Sequence, residues 1–273
     1  MYEPPAATLR LTATLEGPAG TPVLVLGNSL GTSRAVWDRQ AADLGRHFRL
    51  LRYELPGHGG SPAAPAPYSI AGLGAGVLAL LDEHGIDRAA YCGISLGGMI
   101  GMWLAATAPG RIAALGLVCT SAYLPPASGW LARADQVRAA GMSSVTAQSL
   151  GRWFPAGFAG REPQAAAAFA ADLERTDVSG YAACCAAIGA MDLRGALGSI
   201  AAPTIVIAGA DDPATPPDHG AAISAGIARS RLAVVRGAAH LANVSSPGEV
   251  GFLLLDHLRR ARALQRGGAG RPG

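Results

Sequence analysis

Three residues in a fixed chain order could do nucleophilic chemistry in this sequence: Ser95, an aspartate at 212 or 211, and His240. Ser95 lies in Ala90-Tyr-Cys-Gly-Ile-Ser-Leu-Gly-Gly-Met99, which reads as a buried strand, a tight turn and the start of an apolar helix. A serine carried on such a turn has strained backbone, and the residues two positions either side crowd it. Glycines at 93 and 97 remove the Cβ atoms that would clash, and Gly98 lets the helix pack close to the strand. The chain holds 37 glycines, so a five-residue match does not identify a nucleophile unaided. A serine hydroxyl also needs a base to take its proton and a third group to hold that base's tautomer.

Three histidines follow Ser95: His219, His240 and His257. His240 comes after the strand-like run Leu232–Val235 through Arg236-Gly-Ala-Ala239, in a loop at a strand's carboxyl end. That makes it the candidate base. His257, flanked by Asp256 and Arg259 in an amphipathic helix, reads as a solvated surface histidine, and His219, at a proline-rich helix start, as surface or lid-facing. The acid belongs after the preceding strand, in Gly209-Ala-Asp-Asp-Pro-Ala-Thr-Pro216. A Gly-x-x-Asp-x-x-x-Pro spacing selects Asp212, with Asp211 as the alternative and the other aspartate left to cap a turn. His58, in Leu-Pro-Gly-His-Gly, precedes the serine in a different loop and reads as structural.

Acyl transfer needs donors for a developing oxyanion. The backbone N–H of Leu96, directly after the serine, is one candidate. The other comes from the loop Asn28-Ser-Leu-Gly31 after the first central strand, at Leu30 by position, with Ser29 second.

These loops need a scaffold. Thr21–Leu26, Phe48–Tyr53, Ala90–Ile94, Ile112–Cys119, Pro203–Ala208 and Arg231–Val235 are short apolar runs of the kind that form parallel strands covered on both faces. Leu9–Leu15 alternates as an edge strand does, and helices are expected over 37–44, 69–84, 96–107 and 247–264. Alternation of strand and helix implies an α/β fold with a mostly parallel, doubly wound sheet. Between 121 and 199 strand runs give way to alanine-rich helical segments with Trp130, Trp153, Phe154 and Phe158. The expected organisation is a core of 1–120 and 200–265, a helical lid of 121–199 inserted between strands, and a disordered Gly/Arg tail from 266 to 273.

Composition narrows the functional classes. Half the residues are apolar and 15% are charged, as in a compact globule. The net charge of +3 comes entirely from scattered arginines, with no lysine, so no nucleic-acid partner is expected. Cys92, Cys119, Cys184 and Cys185 have neither metal-ligand nor disulfide-framework spacing. No apolar run spans a membrane, and no basic segment precedes an apolar core at the N-terminus. No membrane association and a cytoplasmic location follow as expectations.

Taken together, these stretches resemble the 3-oxoadipate enol-lactonases (β-ketoadipate enol-lactone hydrolases), a family of α/β-hydrolases. The resemblance is carried by Gly27-Asn-Ser-Leu-Gly-Thr32, Phe48–Tyr53 with Gly57-His-Gly59, Pro67-Tyr-Ser69, Cys92–Gly98 and Trp103-Leu-Ala105. It continues through Trp153-Phe154, Gly180-Tyr-Ala-Ala-Cys-Cys-Ala-Ala187, Asp211–Pro217 and His240-Leu-Ala-Asn243. The Asn28 loop and the Tyr-Ala-Ala-Cys-Cys segment discriminate best. Two departures stand out: Glu54-Leu-Pro56 where the family usually has Asp-Thr-Arg, and Ser245-Ser246 where an acidic residue is common. The resemblance implies an α/β-hydrolase fold, hydrolysis of a small-molecule lactone by a Ser-His-Asp acyl-enzyme route, and no cofactor. Because that substrate carries a carboxylate, it also implies a cationic group in the lid, for which Arg133 beside Trp130 is the candidate. The same triad would serve a carboxylesterase, perhydrolase or carbon–carbon bond hydrolase, and a damaged version would leave only a ligand-binding scaffold.

Overall fold

Short apolar runs bounded by glycine, proline and polar residues become the strands of one sheet. The computed structural model describes residues 9–268. In chain order the strands are β1 (Thr12–Glu16), β2 (Val23–Gly27), β3 (Arg49–Glu54), β4 (Ala89–Ile94), β5 (Ile112–Val118), β6 (Thr204–Gly209) and β7 (Ser230–Val235). They lie side by side as β1-β3-β2-β4-β5-β6-β7. β2 to β7 run parallel, and β1 pairs antiparallel with β3 in the register Thr12↔Glu54 to Glu16↔Leu50. β4 and β6 are buried along their whole length, which is why they read as continuous apolar runs.

The core helices are α1 (Asp38–Gly45), α2 (Ile70–Glu83) and α3 (Leu96–Thr107). The α/β fold expected from the sequence is present. The predicted helix over 37–44 starts earlier, as a 3-10 turn over Arg34–Trp37 that runs into α1. Ser33 caps that turn by accepting the Ala35 amide. Trp37 is fully buried and its indole N–H donates to the Gly27 carbonyl at 3.1 Å, sealing the end of β2.

Between β5 and β6 come α4 (Ala127–Ala140), α5 (Thr146–Trp153), α6 (Phe158–Arg161), α7 (Pro163–Glu174) and α8 (Val178–Ala190). α4 packs along α8, and Phe154 stacks on Phe158 at 4.1 Å between ring centres. Three main-chain bonds join these helices to loops of the core: Asp177 N–H to Gly57 O (2.8 Å), His240 N–H to Arg152 O (3.3 Å) and Leu241 N–H to Trp153 O (2.9 Å).

The chain closes with α9 (Pro217–Gly226), α10 (Ala242–Ser245) and α11 (Pro247–Gly268). α11 runs past the expected end at 264, so the first three residues of the expected tail are helical; 269–273 lie outside the described residues. One reading of α11 needs correction. His257 is buried, not solvated, and its Nε2 lies 3.1 Å from the Pro203 carbonyl. Asp256 and Arg259 mark the solvent face, while His257 turns onto the sheet, where burial lowers its pKa. All four cysteines are free and buried. No helix among the described residues is long and apolar enough to cross a membrane.

Candidate active site

The sheet reverses its direction of growth between β2 and β4: the chain leaves β2 toward β3 on one side and returns to β4 on the other. Two loops part there at the carboxyl ends of parallel strands, which is where such sheets take ligands. One carries Asn28 to Arg34 and the other Ser95. The loops after β6 and β7, with Asp212 and His240, open at the same edge.

Ser95 has φ 54° and ψ −117°, a left-handed conformation that a non-glycine residue holds only under constraint. The constraints are visible. Its N–H donates to Val118 O (2.9 Å), and Thr120 Oγ1 donates to its carbonyl (2.7 Å). A Cβ on Gly93 would stand 2.6 Å from the Gly98 nitrogen, and one on Gly97 would stand 2.9 Å from the Asn28 nitrogen. The glycines are therefore needed for close approach of main chain to main chain. Below the turn, Tyr91 OH donates to the Gly97 carbonyl (2.8 Å), and Tyr53 OH lies 2.8 Å from Tyr91 OH. With the Tyr91 proton spent on Gly97, Tyr53 must be the donor to Tyr91.

His240 and Asp212 meet directly: Nδ1 to Oδ2 is 2.8 Å. Oδ1 of Asp212 accepts the amides of Ala214 (2.8 Å) and Thr215 (3.0 Å), and Oδ2 also accepts Thr215 Oγ1 (2.7 Å). Burial pushes the Asp212 carboxyl up, but the His240 imidazole and these hydrogen bonds outweigh it, and its pKa ends below the usual value. An ionised carboxylate can only accept, so His240 Nδ1 carries the proton and Nε2 is left free to take one. Asp211 is exposed, and its amide donates to Ala238 O. It is thus Asp212 of the pair that faces His240. Thr215, which fixes the rotation of the Asp212 carboxylate, carries no signal in the sequence beyond its place three residues on.

The Asn28 loop lies against the turn that holds Ser95. Gly97 N–H donates to Asn28 O at 2.9 Å, which ties the start of that loop to the residue two places after the serine. Among the described residues, neither the Leu30 nor the Leu96 N–H donates to a protein acceptor. The loop touches the inserted helices too. A Cβ on Gly31 would sit 3.2 Å from Tyr181 and 3.5 Å from Trp153.

Arg133 on α4 reaches that contact indirectly. Its guanidinium donates to Tyr181 OH (2.7 Å), Gln148 Oε1 (2.8 Å) and Ser149 Oγ (2.7 Å). Trp130 packs its Cβ against the α8 backbone at Gly189. A residue the sequence did not single out, Arg152, is one turn along α5 from Gln148 and Ser149. Burial and then the Arg133 charge lower its pKa. Arg138, Arg175 and Arg194 of the same segment each pair with an aspartate; Arg133 and Arg152 have no carboxylate partner among the described residues. His58 is fully buried, donates Nδ1–H to Pro56 O (3.0 Å) and stacks on Tyr181. Burial drops its pKa to about 4 against the pull of Pro56, Asp172 and Asp177, so it is neutral at physiological pH. His219 bonds Ser121 Oγ at 2.8 Å.

Known proteins are similar to this chain along most of its length. The model of the alpha/beta hydrolase fold family matches residues 22–247. A 3-oxoadipate enol-lactonase of Acinetobacter baylyi is 38% identical over 231 residues, 85% of this chain and 86% of its own. The crystal structure of the enol-lactonase from Burkholderia xenovorans superposes with a TM-score of 0.89 at 37% identity, covering 91% of this chain and 96% of that one. A proposed carbamate hydrolase, RutD, of Stutzerimonas stutzeri is 31% identical, covering 87% of this chain and 91% of its own. The chain is a hydrolase of the α/β-hydrolase family, and its likeness within that family runs to the 3-oxoadipate enol-lactonases.

Proposed function

We propose that this hydrolase opens the ring of 3-oxoadipate enol-lactone, using Ser95, His240 and Asp212 in an acyl-enzyme mechanism. The observation that carries the proposal is the buried His240–Asp212 contact, taken with the strained backbone of Ser95, in a chain whose similarity to enol-lactonases extends through the inserted helices. His240 Nε2 takes the Ser95 proton as Oγ adds to the lactone carbonyl. The carbonyl oxygen becomes an oxyanion held by the Leu30 and Leu96 amides. Collapse breaks the ring C–O bond and expels an enolate, which the imidazolium protonates. His240 then deprotonates a water that attacks the acyl-enzyme, and Ser95 leaves with that proton. The freed enol tautomerises to 3-oxoadipate. The helices from 127 to 190 serve as the lid, and Arg133 beside Trp130, with Arg152, supplies positive charge for the substrate carboxylate. The reaction runs in the cytoplasm on a small-molecule lactone.

The direct test follows the absorbance of the enol-lactone on adding purified protein, with neutral aryl esters and simple carbamates as comparisons. Lactone turnover well above that of both supports the proposal. Fast turnover of esters or carbamates with the lactone untouched would overturn it.

A further inference from the structure

Glu54 ends β3 with 3% exposure, an unusual place for an acid without a buried partner cation. Its Oε2 accepts the Arg34 backbone N–H at 3.0 Å and the Asn28 Nδ2–H at 3.3 Å. Asn28 and Arg34 are the two ends of the loop that presents the Leu30 amide. One carboxylate oxygen thus closes that loop into a ring. Asn28 gives its second amide proton to Tyr53 O at 2.8 Å, and its backbone carbonyl accepts Gly97 N–H. The loop's ends are therefore tied to β3 and to the turn of Ser95 at once. A third tie comes from α7, where Asp172 Oδ2 accepts Ser33 N–H at 2.7 Å.

The ion pair of Glu54 with the Arg34 side chain is a lesser matter. Its closest approach is 3.8 Å and the guanidinium is 41% exposed, a geometry that contributes little. The main chain at 59 makes room for the carboxylate. Gly59 has φ 55°, and a Cβ there would stand 2.5 and 2.7 Å from the two Glu54 oxygens.

We propose that Glu54 is a positioning residue: by clamping both ends of the 28–34 loop it sets the Leu30 N–H for the oxyanion. This rests on the acyl-enzyme part of the proposed function and not on the identity of the substrate.

The test compares Glu54→Leu, which removes the acceptor, with Glu54→Gln, which keeps an oxygen there. The readout is the affinity of an alkyl trifluoromethyl ketone, whose hemiketal with Ser95 places an oxyanion on the Leu30 and Leu96 amides. It is measured by protection from fluorophosphonate labelling. Loss of one oxyanion donor predicts a fall of about 10²-fold in ketone affinity and in kcat for Glu54→Leu, with KM within about threefold. Glu54→Gln should recover most of both. Ketone affinity unchanged in a folded Glu54→Leu protein overturns the inference, as does a Gln variant as weak as the Leu variant. If Glu54→Leu does not fold, Gly59→Ala crowds the same carboxylate, and unchanged ketone affinity there overturns the inference equally. The ketone needs only the serine and its oxyanion donors, so a chain that ignores the enol-lactone still gives the readout. Wild-type protein that neither label nor ketone modifies would instead overturn the acyl-enzyme reading and this inference with it.

Discussion

Glu54→Gln should make the protein progressively more stable than wild type as pH rises. Burial drives the Glu54 carboxyl from its ordinary 4.5 to about 7; Asp172 adds to that rise, while the Arg34 amide and guanidinium and the Arg52 guanidinium oppose it. The folded state therefore keeps a proton that the unfolded chain has already released. Stability from this group is fully present below about pH 4.5 and is lost as pH climbs to 7, above which the loss is complete. Glutamine does not titrate, so the difference between the proteins isolates the carboxyl. A rise from 4.5 to about 7 corresponds to about 3 kcal/mol. For a chain of this size that is a relative gain of about 5–10 °C in melting temperature between pH 5 and pH 8.5. The assay is a matched set of urea and thermal melts across that range. A stability difference that stays flat with pH, or that turns against glutamine on the alkaline side, would refute the reasoning.

The remaining predictions concern turnover. Ser95→Ala and His240→Ala should each lower kcat by about 10⁴-fold or more while the far-UV spectrum and melting temperature stay close to wild type; full activity in either overturns the triad. Thr215→Val removes the hydroxyl that holds the Asp212 carboxylate toward His240, and should lower kcat about tenfold with KM unchanged, as expected for one hydrogen bond to a charged group. Arg152→Gln should raise KM for a carboxylate-bearing lactone by about tenfold and leave KM for a neutral aryl ester unmoved; equal effects on both would assign Arg152 to the scaffold alone.

What the sequence reveals about this site follows the range of the interactions. The turn around Ser95 is local: glycines at fixed offsets and the runs that flank them are enough to find it. The order of strands and helices is likewise written in short apolar runs. Tyr53, Tyr91 and Glu54 each bond a partner 20 or more residues away, Thr215 acts through the Asp212 carboxylate, and no spacing announces them. His257 shows the opposite failure. Its flanking charges describe the helix's outer face, whereas its own environment is set by Pro203, which only the folded sheet brings near. Arg133 is a candidate by its type and its setting beside Trp130, but its three side-chain partners lie on α5 and α8 and could not be read from α4.

The bonds from His240 N–H and Leu241 N–H to the carbonyls of Arg152 and Trp153 have a consequence for how this chain can diverge. They join the His240 loop to α5 through main chain on both sides, so they are indifferent to which side chains α5 carries. Substitutions along that helix can change its side chains while the histidine keeps its anchor. A deletion that alters the path of the backbone at 152–153 has no such latitude. Length, and not residue identity, is what a chimaera exchanging this helical segment with a relative must preserve.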